Sequence, residues 1–375
     1  MKYKVFVNEP NLIGNEIKYL LKALKSGFIS SSGPLVTEFE KKFAKKVKRK
    51  FAISVSNGTA ALQLAIESID LKRNDEVIVP AFTIISCVLP VIRLGAKPVF
   101  VDSDPVTWNM DIKDLEKKIN KKTKAIIVPH IYGLPVDMDA LIKLAKKYNV
   151  KIVEDAAEVI GLKYKNRPCG SFGEVSTFSF YANKHITTGE GGMIATNSSK
   201  IAEKCRSLRN ICFNNKRRFM HYELGYNFRF TNIQAAIGLA QLEKLDKFVK
   251  KKRSIGRIYN KKIINSNFIL KPLNKNKFAH NIYWVYGLVL KKNSPISLEK
   301  LLKKLKDRGI ETRNFFWPLH EQPILKKKGI IKNIKLPVSE YLARNGFYLP
   351  SGLSLTLKQQ SYVINELNKI IKNFL

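Results

Sequence analysis

An α/β fold, a layered sheet covered by helices with a smaller α+β unit following it, is predicted by three features of the 375-residue sequence. Short β-branched runs recur early in the chain: "EVIVP" (76–80), "KPVFVD" (97–102), "AIIVPH" (125–130) and "KIVED" (151–155). Each is apolar almost throughout, as strands buried on both faces of a parallel sheet are. Between them lie helix signatures. In "SNGTAALQLAIESI" Ser56 and Asn57 precede a run of good helix formers, and in "DMDALIKLAKKY" Asp137 precedes an apolar face of 3.6-residue period. From about residue 245 the texture changes to a long charged helix pattern, "LEKLDKFVKKKRSIGRIYNKKI". Short strands such as "IYWVYGLVL" and a helix "SLEKLLKKLKDRG" follow, so the chain divides into a large domain, 1–245, and a small one, 246–375.

Composition limits the function. With 45% hydrophobic residues the chain can bury one large core and a smaller second lobe. No apolar run is long enough to span a membrane, and "MKYKVFVNEPNLIGNE" lacks the apolar centre and small-residue cleavage site of a signal peptide, so a soluble cytoplasmic protein is expected. Cys87, Cys169, Cys205 and Cys212 form no CxxC pair and have no histidines at metal spacing, so neither a metal site nor a disulfide framework is expected. The net charge of +37, from 67 Lys+Arg against 30 Asp+Glu, raises nucleic acid or an anionic membrane as a partner. Its spread along the whole chain, with no arginine-rich arm and no basic motif interleaved with aromatics, favours solvated helix faces over either partner.

In parallel sheets ligands gather at the carboxyl ends of strands, and His130, Asp155 and Ser179 all stand at such ends. Two glycine elements, "SNGTAA" and "GEGG", could each be a phosphate site or a turn. Gly58 and Thr59 have the better physical case, since they fall at a helix N-terminus where free N–H groups and the helix dipole favour phosphate. Neither standard nucleotide-binding fingerprint is present. Asp155 could be a structural cap or the partner of a cationic ring nitrogen. Lys184 sits in a glycine-flanked loop after an aromatic strand, "STFSFYANKHITTGEGGM". A phosphate cradle, a buried strand-end aspartate and this lysine together are what pyridoxal phosphate needs: a Schiff-base lysine, a carboxylate on the pyridinium and an anchor for the phosphate.

The motifs "SNGTAALQLAI", "VIVPAFTIIS", "PVFVDSDPVTWNMD", "VPHIYGLPVDMD", "VEDAAEVIG", "GSFGEVSTFSFYANKHITTGEGGM" and "GYNFRFTNIQAAIGLAQL" resemble those of the DegT/DnrJ/EryC1/StrS family of pyridoxal-phosphate-dependent sugar aminotransferases over nearly the whole chain. The resemblance implies the fold-type I architecture, with a mixed, mostly parallel seven-stranded sheet. It implies that Lys184, five places after Ser179, carries the cofactor and later shuttles the proton. Asp155 then pairs with the pyridine nitrogen, and Ser179 binds the phosphate with the Gly58 and Thr59 amides. Glu158 lies near the ring hydroxyl, and Asn227 reaches the phosphate of a neighbouring subunit, which implies a homodimer with shared active sites. Ile84 takes a position at which relatives stack an aromatic ring on the cofactor; an aliphatic side chain covers the face by dispersion and gives up the ring–ring contribution. His185 matters because a dehydratase branch has histidine in place of the lysine, but the spacing from Ser179 puts Lys184 there, which implies transamination.

Within the family, "GFISSSGPLVTEFEKKFA", "GIETRNFFWPLHEQP" and "NGFYLPSGLSLT" resemble the branch that makes GDP-perosamine. The family resemblance implies L-glutamate as amino donor, and this one implies GDP-4-keto-6-deoxy-D-mannose as acceptor. Arg313 and His320 are candidates to line the sugar or nucleotide pocket, against a surface arginine and a structural histidine. The alternatives are a UDP- or dTDP-linked keto-deoxyhexose as acceptor, and a basic nucleic-acid-binding or regulatory protein on the same scaffold. Retention of Lys184, Asp155 and Ser179 argues against the last.

Overall fold

The computed structural model describes residues 3–214, 217–331 and 333–374. Its centre is a seven-stranded sheet made of β1 (Phe51–Val55), β2 (Glu76–Pro80), β3 (Lys97–Val101), β4 (Thr123–Pro129) and β5 (Lys151–Asp155), then, after a two-residue hairpin β6 (Lys163–Tyr164) and β7 (Arg167–Pro168), β8 (Val175–Ser179) and β9 (Gly192–Thr196). The spatial order is β1-β9-β8-β5-β4-β2-β3. Only β9 runs against its neighbours; β8, β5, β4, β2 and β3 are parallel in sequence of contact, and β1, antiparallel to β9, shares their direction. The carboxyl ends of β1, β5 and β8 therefore meet at one edge.

Helices cover both faces, and each face buries its own apolar core: Phe39, Phe43, Phe178, Phe180 and Phe230 on one, Ile53, Leu64, Val79 and Ile127 on the other. Asp137 and Asn57 cap helices as their sequence positions predict, accepting from the Ala140 and Ala60 amides at 3.2 and 2.8 Å.

The four strands β10 (Ile269–Leu270), β11 (Tyr286–Leu290), β12 (Arg313–Asn314) and β13 (Gly346–Leu349) form a second, antiparallel sheet in the order β10-β11-β13-β12. It buries a third core with Tyr259, Leu288, Leu305, Phe347 and Leu367. The two sheets are joined by one helix, Asn232–Lys262, that begins well before the charged texture does. Its start is set by a capping box in which the Thr231 side chain accepts from Gln234 N and the Gln234 side chain from Thr231 N. Residue 245 lies inside that helix; Leu239, Leu245 and Phe248 pack into the first core, Ile255 and Tyr259 into the third. No helix among the described residues is long and apolar enough to cross a membrane.

The run "IYWVYGLVL" is a strand only from Tyr286. Tyr283 holds φ +47, a left-handed conformation rare for a bulky residue, and this turn aims Trp284 away from the sheet. Asn281 pins it by accepting the Tyr283 N–H at 2.6 Å.

Candidate active site

The edge where β1, β5 and β8 end opens into a cleft of about 700 Å³ lined by Gly58, Thr59, Ile84, Asp155, Ser179, Lys184, Trp284, Arg313, Phe316 and Tyr348, among others. Its phosphate end is built at the start of helix Gly58–Glu67. Asn57 uses its side chain on Ala60 N and its carbonyl on Ala61 N (3.1 Å). The first two amides, Gly58 and Thr59, have no acceptor within the helix and face the cleft end. A Cβ on Gly58 would come within 2.8 Å of the Ser179 Cβ, so glycine is what lets the β8 hydroxyl approach the helix terminus. In the "GEGG" element Gly189 is a turn residue with φ +79 and Gly192 is packing: a Cβ on Gly192 would lie 2.4 Å from the Asn57 carbonyl, so β9 presses against the cap that shapes the cradle.

Across the cleft floor stand two carboxylates and the lysine. Asp155 is buried with few partners: the Ala157 N–H at 3.1 Å on one oxygen and the Cys87 thiol at 3.5 Å on the other. Burial raises its pKa above the ordinary carboxylate range, opposed by the Ala157 N–H and by Lys184. Glu158 lies beneath, accepting the Tyr132 N–H at 2.7 Å, and burial pushes it up to about 8. Lys184 is pushed down by burial, against the pull of Glu158 and Asp155, which is what a nucleophilic amine near neutral pH requires. His130, behind the strand ends, accepts the Val136 N–H at Nδ1 (3.1 Å), so Nε2 carries the proton and donates to Glu154 at 3.0 Å. It braces the strand ends and stays out of the cleft.

The opposite wall is aromatic. Phe316 stacks on Tyr132 with ring centroids 5.4 Å apart and on Trp284 at 6.4 Å. The Phe316 N–H donates to the Tyr132 hydroxyl at 3.2 Å. Lys184 Nζ lies 3.8 Å from the centre of the Trp284 ring. Trp284, Phe316, Tyr348 and Tyr132 were not singled out by sequence; their segments read as ordinary strand and loop, and the left-handed Tyr283 that aims Trp284 leaves no mark in a residue pattern.

Of the predicted site residues, the structure brings Gly58, Thr59, Ile84, Asp155, Ser179, Lys184 and Arg313 into one cleft, with Glu158 directly behind it. His320 is elsewhere. It is buried, its Nε2 3.1 Å from Glu340, and the Leu319 N–H is fastened to the Ala81 carbonyl, which turns the imidazole toward helix Pro337–Asn345 and away from the cleft. It is not among the residues that line this chain's cleft. Asn227 is exposed on the segment that pairs with Asn210 and does not line this chain's own cleft. His185 is fully buried with Nε2 3.4 Å from the Ile282 carbonyl, so only Lys184 of the adjacent pair faces the cleft. All four cysteines are buried and free.

A profile of the DegT/DnrJ/EryC1/StrS aminotransferase family matches residues 10–368. The chain belongs to that family. It is 42% identical to a GDP-perosamine synthase of Escherichia coli O157:H7 over 98% of this chain and 99% of that one. Among solved structures, Helicobacter pylori PseC, an aminotransferase involved in pseudoaminic acid biosynthesis, superimposes with a TM-score of 0.93 at 25% identity, covering all of both chains. A GDP-4-keto-6-deoxymannose-3-dehydratase variant solved with bound GDP-perosamine gives a TM-score of 0.88 at 26% identity, over 96% of this chain and all of that one. Family members use pyridoxal phosphate, and the cleft fits it. Asp155 is a buried carboxylate short of partners that a cationic ring nitrogen would complete. The Gly58–Ser179 approach exists only because no Cβ fills it, and the one lysine on the floor has its amine pushed toward the neutral form.

Proposed function

We propose that this aminotransferase moves an amino group from L-glutamate to the carbonyl carbon of GDP-4-keto-6-deoxy-D-mannose, giving GDP-perosamine, and that it works in the cytoplasm as a homodimer. The observation that carries the acceptor is the 42% identity with a GDP-perosamine synthase along almost the whole of both chains.

When bound, pyridoxal phosphate supplies the electron sink and the group that carries the amine between the two substrates. The chain's own residues do the rest. Gly58, Thr59 and Ser179 hold the phosphate, through two helix-terminal amides and one hydroxyl. Asp155 keeps a proton on the ring nitrogen, since a buried carboxylate at its side favours the cationic ring. Lys184 would hold the group covalently and, once released, would take and return the proton at the substrate carbon. Ile84 would cover one face of the bound ring, Glu158 would stand on its hydroxyl side, and Arg313, paired in register with Tyr348, would offer a cation to the sugar nucleotide. His185, buried and turned aside, cannot replace Lys184, which favours transamination over dehydration.

Dimerisation is supported by apolar surface left bare. Ile17, Leu21 and Leu24 follow helical spacing along one exposed side of helix Glu16–Lys25, with Ile17 74% exposed, and Ile13 before it and Phe28 after it are exposed too. Phe219, Tyr222 and Leu224, the last 94% exposed, stand just before Asn227, so the segment expected to reach a partner's phosphate carries uncovered apolar side chains among its charged ones. Buried, unpaired cysteines suit a reducing compartment.

The test is an absorbance spectrum of the purified protein, repeated after L-glutamate and then after GDP-, UDP- and dTDP-linked keto-deoxy sugars. The expected result is a cofactor band that glutamate converts and GDP-4-keto-6-deoxy-D-mannose restores. Restoration by another sugar nucleotide alone moves the acceptor, and the lack of any band with added pyridoxal phosphate overturns the reading.

A further inference from the structure

Two residues outside the proposed machinery converge on Lys184. Trp284 meets it twice: the indole face lies under Nζ, 3.8 Å from the ring centre, and the indole Nε1 donates to the carbonyl of Asn183, the residue before Lys184, at 2.9 Å. Such an approach of an ammonium to an aromatic face is attractive, more so where water is excluded. The Trp284 carbonyl, on the other side of its backbone, accepts from Lys252 Nζ at 2.7 Å, and the same Nζ donates to the Ser351 carbonyl at 2.6 Å.

Lys252 is 3% exposed on helix Asn232–Lys262, and no carboxylate forms an ion pair with it among the described residues. Burial pushes its pKa down to about 7. An ammonium placed there costs stability, and what it holds is two main-chain carbonyls, one of them that of Trp284. Nearby, a Cβ at Gly256 on the same helix would collide with the Tyr283 ring at 2.3 Å, so helix and left-handed turn are fitted to each other.

We propose that Trp284 is the platform on which the Lys184 ammonium rests whenever it is not bonded to the cofactor, and that Lys252 is the positioning residue that fixes this platform. The proposal rests on the reading of Lys184 as the cofactor-bearing lysine. Releasing Lys184 frees an amine that must stay in the cleft through the proton transfer; the indole face offers a place for its charged form and lets go of the neutral one. The other groups facing Lys184 are Asp155, Glu158 and Cys87, with His185 buried beside it and held neutral, its pKa pushed down to about 3 by burial and then by Lys252.

The test is the pH profile of Lys184 acetylation by trace acetic anhydride, read by mass spectrometry on the full-length protein freed of cofactor with hydroxylamine. In Trp284→Leu the ammonium loses its platform, so the profile moves to lower pH and Lys184 reacts about threefold to thirtyfold faster below its midpoint. Trp284→Phe, which keeps a ring, moves it less. Lys252→Met moves it the same way by a smaller factor, and adds nothing to Trp284→Leu in the double variant. A Trp284→Leu profile that superimposes on the parent's overturns the platform. A Lys252→Met profile that is unchanged, or moves to higher pH as loss of a neighbouring positive charge alone would make it, overturns the positioning role. Circular dichroism checks the fold; should Lys252→Met not fold, Lys252→Leu, which likewise removes the donor, takes its place under the same criteria. A parent with no cofactor band to remove would overturn the proposed function while leaving these profiles readable.

Discussion

The two walls of the cleft are made by different physics. The sheet wall is built from strand ends: β1, β5 and β8 run the same way, so a helix N-terminus, a carboxylate and a hydroxyl arrive at one edge, and its effects are electrostatic. The facing wall is assembled from Trp284, Phe316 and Tyr348, with Tyr132 buried behind them, four segments far apart in the chain, and its contribution is ring packing with Arg313 at the rim. The sheet wall suits a charged, planar group that every turnover shares; the aromatic wall suits whatever the substrate brings. Substitutions on the first should change rate, cofactor retention and pH behaviour. Substitutions on the second should change substrate affinity, except at Trp284, whose ring meets Lys184 and carries its pH behaviour as well.

The largest effect expected is from Lys184→Ala. With no amine on the floor, the glutamate-driven spectral conversion slows by about 10³-fold or more, the scale of a lost covalent and proton-transferring group. Cofactor remains bound through the phosphate cradle, and stopped-flow absorbance separates the two. Asp155→Asn follows, with a loss of about 10²-fold in kcat as the fixed charge beside the ring nitrogen disappears. Its KM for the sugar nucleotide should hold, which a comparable change on the aromatic wall would not leave alone.

Glu158→Gln addresses stability and has a definite sign. Folding raises the pKa of Glu158 to about 8 from an ordinary 4.5, so the folded cofactor-free protein takes up a proton between those values. Its stability therefore falls as pH rises through that window. Lys184, lowered on folding, works the other way, contributing stability as pH rises from its folded value toward 10.5. Urea unfolding at pH 5 and pH 8 should show Glu158→Gln flattening the decline, with a gain on the order of 2 kcal/mol at the higher pH. An unchanged slope would mean the carboxylate is ionised at little cost and the floor is wetter than its burial implies.

Arg313→Ala and His320→Gln then test the aromatic side as a pair. Loss of the rim cation should raise the KM for the sugar nucleotide by about tenfold, the range of one charge-assisted hydrogen bond. His320, which braces Glu340 behind the cleft, should leave that KM alone and lower the melting temperature by a few degrees, as a lost buried hydrogen bond does.

This division between walls was also the division between what the sequence disclosed and what it did not. Strands, caps and the residues at strand ends are local patterns. "EVIVP" and "KIVED" are strands because β-branched residues favour a pleat, and Asn57 and Asp137 cap because their side chains reach the third amide along. Asp155, Ser179 and Lys184 were legible for that reason, with their roles drawn from family resemblance. The aromatic wall depends on long-range packing and on Tyr283 in a left-handed conformation that its residue type disfavours. His320 shows the converse: a histidine in a loop between two aromatic or proline-flanked segments looks like a ligand contact, and Leu319 and Glu340 hold it outside the lining of this chain's cleft. The start of the long helix was readable in "TNIQ", a capping box, but the charged run downstream dominates the texture.

The smallest change sharpens the comparison most directly, because it moves a property of one wall onto the other. Ile84 stands at the mouth of the cleft, 46% exposed, on the extended residue before the short turn Ile85–Cys87, and it lines the same space as Asp155 and Lys184. An aliphatic side chain there contributes dispersion to a planar ring but no stacking. Ile84→Phe should add an offset-stacked contact of about 0.5–1.5 kcal/mol, tightening cofactor retention by roughly twofold to tenfold. Equilibrium dialysis against pyridoxal phosphate measures that directly, with kcat expected to change little, since the new contact is made equally before and during reaction. If Ile84→Phe instead leaves cofactor affinity unchanged and raises the KM for the sugar nucleotide, then the side chain at 84 faces substrate. The aromatic wall then continues across the mouth of the cleft.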